Sequence, residues 1–248
     1  MSEGQAARLQ WQTAKVIELR EETLRTRSIV LEVPSWRGHL AGQHVDVRLT
    51  APDGYQAQRS YSLASAPEDP LLMLTVERLA DGEVSPYLCD GLAPGDEIEL
   101  RGPIGGYFVW QLPPSSRILL LAGGSGVVPF RAMLRHHAAS GEHAEVRLIY
   151  SSRSLPEVIY AAELEQLAAA QALELNLVLT RAWPDGWTGP RGRIDRSALA
   201  QLAWPPDNAP LVYCCGPNGF VETAANELVA LGHDPTLVRT ERFGPSGT

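Results

Sequence analysis

The sequence predicts two domains of different fold class, a β domain followed by an α/β domain. Its 248 residues exceed the usual size of a single domain. The first half holds short runs of mixed apolar and polar residues separated by turn formers, a pattern typical of a small barrel or sandwich. In the second half, continuous apolar runs alternate with helical stretches, which favours a doubly wound parallel sheet. We expect the two domains to cover residues 1–112 and 117–248.

The runs of the first half end at turn-forming residues. Asp53-Gly54 and Pro94-Gly95 are two such pairs, and a short helix is expected soon after Gly82. The predicted strands are 14–19, 27–33, 44–49, 58–63, 72–78 and 98–101, and the predicted helix is 85–89.

The second half begins after a linker, Pro113-Pro114-Ser115-Ser116. Its first run is apolar almost throughout, as expected of a strand that is buried on both faces. Asp195 is the predicted cap of one helix. The predicted strands are 117–122, 146–150, 173–179, 210–214 and 236–241, and the predicted helices are 130–139, 161–170, 196–202 and 220–231.

Composition excludes several classes of protein. The net charge of -8 argues against nucleic acid or an anionic membrane as the main partner. No apolar run approaches the ~20 residues that a membrane span requires, and the first ten residues are polar, so we expect a cytoplasmic protein. Cys89, Cys214 and Cys215 fit neither a disulfide framework, nor a zinc site, nor a four-cysteine iron-sulfur cluster, so we expect no metal.

One predicted strand carries groups suited to a flat ligand that bears phosphate. Side chains alternate along a strand, so Arg59 and Tyr61 share one face, while Ser60 and Ser62 point to the other face or to the strand edge. A guanidinium and an aromatic ring on one face can bind a phosphate and a planar heterocycle together. An ordinary amphipathic strand with a chance arginine explains these four residues equally well.

A glycine precedes the short predicted helix of the first domain. In the segment Gly82-Glu83-Val84-Ser85, backbone N–H groups at the helix start can bind a pyrophosphate. A plain surface turn is an equally good explanation of this segment alone.

A second glycine segment has a more informative context. Gly124-Ser125-Gly126 joins a buried strand to a helix with Pro129 at its start, as in a nucleotide-binding phosphate cradle. The third glycine of the dinucleotide-binding fingerprint is missing, so the cradle follows a different pattern.

Arginines follow two neighbouring strands of the predicted parallel sheet. The second strand ends in Ser152 and Arg153, where an arginine accommodates a 2′-phosphate and an acidic residue would favour plain ribose hydroxyls. Arg181 ends the next strand, and Arg193 follows a loop after it. Together the three would form a dianion site, whereas any one of them alone is as well explained as solvated surface.

A cysteine pair ends the fourth strand of the second domain. A buried, inert thiol is the preferred interpretation of Cys214. Cys215 comes directly before the turn Gly216-Pro217, where a small side chain can lie near a reacting ring without blocking it.

Taken together, these motifs resemble the ferredoxin-NADP reductase superfamily over nearly the whole chain. Four segments carry the resemblance in the same order as in the family: Arg59-x-Tyr61-Ser62, Gly82 to Ser85, Gly124-x-Gly126-x-x-Pro129 and Cys215-Gly216-Pro217-x-x-Phe220. The resemblance implies a six-stranded antiparallel barrel that binds flavin, followed by a pyridine-nucleotide domain.

The resemblance also implies roles for residues of the first domain. Arg59 would bind flavin phosphate, Tyr61 would stack on the isoalloxazine, and Ser62 would hydrogen-bond near N5. Ser85 and its neighbouring amides would hold the pyrophosphate, which favours FAD over FMN.

In the second domain, the resemblance places Arg153, Arg181 and Arg193 at the 2′-phosphate of NADPH, with NADH as the alternative donor. Cys215 would lie beside the nicotinamide, and Phe243 would take the part of the aromatic residue that shields the flavin, although five residues follow it. We expect Tyr61, Ser62 and Cys215 to be the catalytic residues.

The implied function is electron transfer from NADPH through FAD to a separate acceptor protein, because three cysteines cannot house an iron-sulfur cluster here. That acceptor would be a ferredoxin, a flavodoxin or an oxygenase component. The alternatives are a free-flavin or quinone reductase with a small-molecule acceptor, an electron-transfer subunit of a larger redox complex and, from a different class, a flavin-free binding module.

Overall fold

The computed structural model describes residues 9–111, 116–141, 143–170 and 172–244. Within them an antiparallel sheet of six strands is followed by a parallel sheet of five, so the predicted fold class is confirmed. The linker residues Pro113, Pro114 and Ser115 lie outside the described residues, as do residues 1–8 and 245–248. No helix among the described residues is long and apolar enough to cross a membrane.

The N-terminal sheet is a closed barrel. It consists of β1 (Gln12–Thr23), β2 (Thr26–Glu32), β3 (His44–Thr50), β4 (Gln56–Ser62), β5 (Leu72–Glu77) and β6 (Glu97–Ile104). Their order across the sheet is β4-β3-β6-β1-β2-β5. The two edges meet where Leu63 bridges Leu74 and the Ala64 amide donates to the Met73 carbonyl at 2.7 Å.

Strand alternation fills the barrel interior. Ala14 and Val16 are buried while Lys15 between them faces solvent, which is the period of two expected of a half-buried strand. All six predicted strands are present, with ends that shift by a few residues. The predicted helix is also present, because residues 85–91 are helical, with π-type bonding over Tyr87–Gly91.

The C-terminal sheet is doubly wound, in the order β11-β10-β7-β8-β9. One face packs against α1 and α2, and the other packs against α3 and α4. Asp195 caps α3 as predicted, because its Oδ1 accepts from the Ala198 amide at 2.8 Å. The strands are β7 (Arg117–Gly123), β8 (Glu145–Ser152), β9 (Glu174–Leu179), β10 (Leu211–Pro217) and β11 (Val238–Phe243), and the helices are α1 (Val128–Ser140), α2 (Ala161–Ala169), α3 (Arg196–Leu202) and α4 (Asn218–Ala230).

Chain order reverses beside β7, since β8 and β10 lie on its two sides. In open parallel sheets, a crevice for ligands lies outside the carboxyl ends of the strands at such a reversal. The glycine turn follows β7 directly, as a 3-10 turn over Gly124–Val127. The topology therefore puts this turn in the crevice.

Buried polar contacts join the barrel to the α/β domain. The nearly buried Arg131 of α1 donates to the Ala64 carbonyl at 2.8 Å and to Glu163 at 2.6 Å. The Tyr160 hydroxyl donates to Thr75, which shares a 2.7 Å hydrogen bond with Ser28 inside the barrel. A group that loses such a partner remains buried and unsatisfied, so these contacts fix the relative position of the two sheets.

Candidate cofactor and nucleotide sites

The β4 strand presents Arg59 and Tyr61 on one face, as the alternation predicts. Tyr61 is partly buried against the barrel core, and burial raises the pKa of its phenol. Ser60 lies on the opposite face, where its hydroxyl donates to Asp46 at 2.6 Å. Only the backbone of Ser60 can therefore reach a ligand held by Arg59 and Tyr61.

The Arg59 guanidinium is bound by a carboxylate. Its Nη2 lies 2.7 Å from Glu83 Oε2, and the Tyr55 hydroxyl donates to the other oxygen of Glu83, also at 2.7 Å. These hydrogen bonds from Tyr55 and Arg59 lower the pKa of Glu83. The sequence predicted that Glu83 lies near a pyrophosphate. It did not predict that the Glu83 carboxylate binds Arg59, the residue expected to bind the flavin phosphate.

The Gly82–Ser85 segment is shaped by a buried hydroxyl. Ser85 Oγ accepts from the Leu79 amide at 3.1 Å. A Cβ on Gly82 would lie 2.8 Å from that oxygen, so a larger residue here would force the Ser85 hydroxyl to move. Val84 is fully buried in the barrel core. The Ser85 side chain therefore serves the turn, as does the Gly82 amide, which donates to the Leu79 carbonyl at 3.1 Å. The amides that follow Gly82 are the groups offered to a phosphate.

Residues from both domains meet beyond Ser62. Ser62 pairs with His44 across β3 and β4, and His44 Nδ1 lies 3.7 Å from Glu241 Oε1. Glu241 pairs in turn with Cys215 across β10 and β11. Burial lowers the pKa of His44 and raises that of Cys215, so at neutral pH the imidazole and the thiol are uncharged.

Glu241 and His44 were missed as site residues. Glu241 Oε2 is buried and has no hydrogen-bond partner within the described part of the chain. Burial raises the pKa of this carboxyl from 4.5 to about 7. A sequence signal did exist, because Glu241 stands two residues before Phe243 and so shares its face of β11.

Stability should depend on the titration of Glu241. Between about pH 4.5 and 7 the folded protein binds this proton more tightly than the unfolded chain does. The free energy of unfolding should therefore fall as pH rises through this window, by up to about 3 kcal/mol, with the contribution of Glu241 fully present only below it. We expect Glu241→Gln to remove this slope and to be more stable than the wild type at alkaline pH.

Urea unfolding of the two proteins at about pH 5 and about pH 8 measures this difference. Glu97→Gln, an exposed carboxylate on β6, is the matched control and should keep the wild-type slope. If the free energy of unfolding depends on pH equally in Glu241→Gln and in the wild type, Glu241 is not a buried carboxyl that titrates near neutrality.

A cleft of about 690 Å³ lies at the carboxyl edge of the parallel sheet. The three predicted arginines all line it, together with Ser152 and the glycine turn. Arg153 Nη1 lies 3.6 Å from Glu157, whereas the side chains of Arg181 and Arg193 make no ion pair or hydrogen bond within the described residues. The cleft thus offers exposed guanidinium groups to an anion.

Phe243 lines the same cleft at the end of β11, along with Phe220 and Pro217. The residue is 36% exposed, so a ligand can cover it. The structure therefore brings this residue to the cleft even though more chain follows it.

The glycines around the turn are required mainly by packing. A Cβ on Gly126 would lie 2.1 Å from the Cys215 carbonyl oxygen, and one on Gly216 would strike the Phe220 ring at 2.8 Å. Gly124 has a φ of +55°, and the nearest atom to a Cβ placed on it would be Glu77 Oε2 at 3.9 Å, so there is open space beside it. Pro129 stands in the first turn of α1, where a missing amide hydrogen costs nothing. The cradle is open at Gly124 and tightly packed at Gly126.

Two cleft residues from the barrel were also missed. Glu77, at the end of β5, accepts a hydrogen bond from the Ser125 hydroxyl at 2.9 Å. Arg25, in the turn between β1 and β2, approaches Glu77 at 3.8 Å. Neither belongs to a motif, and only the packing of the two domains brings them to the glycine turn.

The donor set fits FAD and a nicotinamide dinucleotide. One face of β4 offers a cation and an aromatic ring, which are the partners of phosphate and of a flat heterocycle. Glu241 lies beside His44 and pairs with Cys215 across the sheet, and its Oε2 has no hydrogen-bond partner among the described residues, so a ligand bound here can supply that partner. The cleft supplies further arginines for a second phosphate-bearing molecule.

Comparison with known proteins agrees with this assignment of the two domains. Residues 13–109 match the oxidoreductase FAD-binding domain family, and residues 120–226 match the oxidoreductase NAD-binding domain family. The FAD/NAD-binding domain of nitric oxide dioxygenase from Vibrio cholerae has a similar structure, with a TM-score of 0.83 and 27% identity over 94% of this chain and 99% of that one.

Two curated relatives are similar in sequence. The glycine betaine monooxygenase reductase subunit of Pseudomonas aeruginosa is 29% identical over 94% of this chain and 64% of its own length. The ferredoxin reductase component of 3-ketosteroid-9-alpha-monooxygenase from Mycobacterium tuberculosis is 32% identical over 92% of this chain and 64% of its own length. The chain thus spans less than two thirds of the length of each of these two relatives.

Proposed function

We propose that the chain, which belongs to the ferredoxin-NADP reductase superfamily, passes electrons from NADPH through FAD to a separate one-electron acceptor. The acceptor we propose is a ferredoxin, a flavodoxin or an oxygenase component. The names of the two relatives support this class, since both are reductase parts of monooxygenase systems.

The observation that carries the proposal is the meeting of two sites at the domain boundary. Ser62 and His44 come from the barrel, while Glu241 and Cys215 come from the parallel sheet. Phe243 extends the same strand into the nucleotide cleft. A nicotinamide and a flavin ring held by their own domains would therefore face each other here.

Each domain would hold its cofactor through the residues described above. Arg59 would bind a phosphate of FAD, Tyr61 would support the flat ring system, and Ser62 would donate a hydrogen bond to its edge. The amides near Ser85 would take the rest of the pyrophosphate. FAD, when bound, supplies the exchange between two-electron and one-electron chemistry.

The nucleotide side would work by positioning and by excluding water. Arg153, Arg181 and Arg193 would bind the 2′-phosphate, which makes NADPH the preferred donor. The uncharged Cys215 thiol would give the nicotinamide a small apolar neighbour, and Phe243 would cover the flavin until the nucleotide arrives.

We also propose a cytoplasmic location, which is supported by three cysteines that are all free thiols.

Anaerobic stopped-flow reduction tests the proposal directly. We expect FAD-loaded protein to lose its absorbance near ~450 nm on mixing with NADPH, because that band reports the oxidised cofactor. Subsequent oxidation should be fast with a ferredoxin or flavodoxin and slow with free FMN or a quinone. Faster oxidation by free FMN would favour a flavin reductase, and a protein that binds no FAD would contradict the electron-transfer function.

A further inference from the structure

The turn between β1 and β2 forms one wall of the nucleotide cleft, although it belongs to the barrel. Thr23, Arg25 and Thr26 line the cleft, while Leu24 at the tip is fully exposed. Two hydrogen bonds anchor the turn, because the Arg25 amide donates to Thr23 Oγ1 at 3.3 Å and the Arg25 carbonyl accepts from the Arg78 amide at 2.7 Å. The Arg25 guanidinium therefore projects from an anchored backbone.

Arg25 has only weak partners in the described structure. Its Nη2 donates to the Arg78 carbonyl at 3.3 Å and lies 3.8 Å from Glu77 Oε1, at the outer limit of an ion pair. The side chain remains 47% exposed. An exposed pair of this geometry contributes little to stability, so most of the guanidinium donors remain available to a ligand.

Glu77 places a negative charge beside the glycine turn, where a pyrophosphate is expected to bind. Its Oε2 accepts from Ser125, and it lies 3.9 Å from the position where Gly124 would carry a side chain. A pyrophosphate bound against Gly124 and Ser125 would therefore stand close to a carboxylate. Like charges at such a distance repel, unless a cation lies beside them.

Arg25 is that cation. Among the described residues that line the cleft, four are arginines, and Arg153, Arg181 and Arg193 all come from the α/β domain. Arg25 alone of the four comes from the barrel, and it stands next to Glu77. A guanidinium can bind a carboxylate and a phosphate oxygen at once through its separate N–H groups.

We propose that Arg25 binds the pyrophosphate of the nicotinamide dinucleotide from the flavin domain, against the neighbouring carboxylate of Glu77. The inference rests on the proposed function, because it assigns a subsite within the same cleft. It divides the cleft between two anion sites. Arg153, Arg181 and Arg193 bind the 2′-phosphate that distinguishes NADPH, whereas Arg25 binds the phosphates that NADPH and NADH share.

Fragments of the nucleotide separate these two subsites. ADP-ribose carries the pyrophosphate without a 2′-phosphate, and 2′-AMP carries the 2′-phosphate without a pyrophosphate. We expect Arg25→Gln to weaken binding of ADP-ribose, NAD⁺ and NADP⁺ by about 10-fold, the loss of one charge-assisted contact, and to leave 2′-AMP unchanged within about twofold. Titration calorimetry on the FAD-loaded protein measures all four ligands.

Two further variants test the charge argument. Arg153→Gln should show the opposite pattern, with weaker 2′-AMP and unchanged ADP-ribose. Glu77→Gln keeps an acceptor for Ser125 but removes the negative charge, so ADP-ribose should bind more tightly. Weaker binding of ADP-ribose to Glu77→Gln would contradict the repulsion on which the role of Arg25 depends.

The outcomes distinguish this inference from the proposed function. If wild type binds NADP⁺ and ADP-ribose but Arg25→Gln binds them equally well, the Arg25 subsite is wrong and the reductase function stands. Equal weakening of 2′-AMP and ADP-ribose in Arg25→Gln would also overturn the subsite, because the effect would then be general. If the wild type binds none of the four ligands, the proposed function itself fails.

Discussion

Arg59→Ala is expected to purify largely without FAD. The guanidinium is the cation that the β4 face offers to a flavin phosphate, and Tyr61 beside it can hold the ring system but not the phosphate. Loss of a charge-assisted, bidentate contact costs about 1.5 to 3 kcal/mol, which raises the dissociation constant of FAD by about 10-fold to 100-fold. The ratio of flavin to protein absorbance after gel filtration, and FAD titration of the apoprotein, measure the loss.

The control for Arg59 is an arginine on the same barrel that faces no cofactor. Arg20 forms an exposed ion pair with Glu18 at 2.7 Å, so Arg20→Ala should retain its FAD. Glu83→Gln provides a second comparison, because the Glu83 carboxylate competes with phosphate for the Arg59 guanidinium. We expect this variant to bind FAD more tightly. If Glu83→Gln loses FAD while Arg59→Ala retains it, the prediction is wrong, and the Glu83 carboxylate rather than Arg59 binds FAD.

The second large effect is expected in the nucleotide cleft. The double variant Arg153→Ala, Arg193→Ala should bind NADPH at least about 100-fold more weakly, since it loses two charged contacts to a dianion. Its affinity for NADH should change by no more than a few-fold. Removal of Arg153 also leaves Glu157 without its 3.6 Å partner, and that carboxylate would then repel the 2′-phosphate. The preference for NADPH should therefore disappear.

Anaerobic reduction of bound FAD at increasing concentrations of each nucleotide gives the two apparent affinities. Arg196→Ala is the matched control, because Arg196 lies in the same domain but pairs with Glu227 at 2.6 Å on the outer helices. Equal loss of NADPH and NADH in the double variant would show that the arginines hold a phosphate common to both. A wild type that prefers NADH would contradict the 2′-phosphate site altogether.

Local sequence patterns determined the fold class and the elements of this protein. The period of two in β1 and the continuous apolar run of β7 report directly whether a strand has one buried face or two. Similarly, the glycines between a buried apolar run and a helix predicted the turn at Gly124, which the structure places directly after β7. The arginines were predictable as a group because the carboxyl ends of parallel strands meet at one edge of the sheet.

The tertiary structure alone decided which side chains complete the sites. Glu241 meets His44, and Glu83 meets Arg59, through contacts between strands and turns that are distant in the sequence. Glu77 reaches the glycine turn, with Arg25 beside it, because buried contacts such as Tyr160 to Thr75 hold the barrel against the parallel sheet. Periodicity encodes which face of an element is buried, but it carries no information about which elements lie side by side. Register and domain packing set those distances, and with them the pKa of Glu241 and the charge at the cleft.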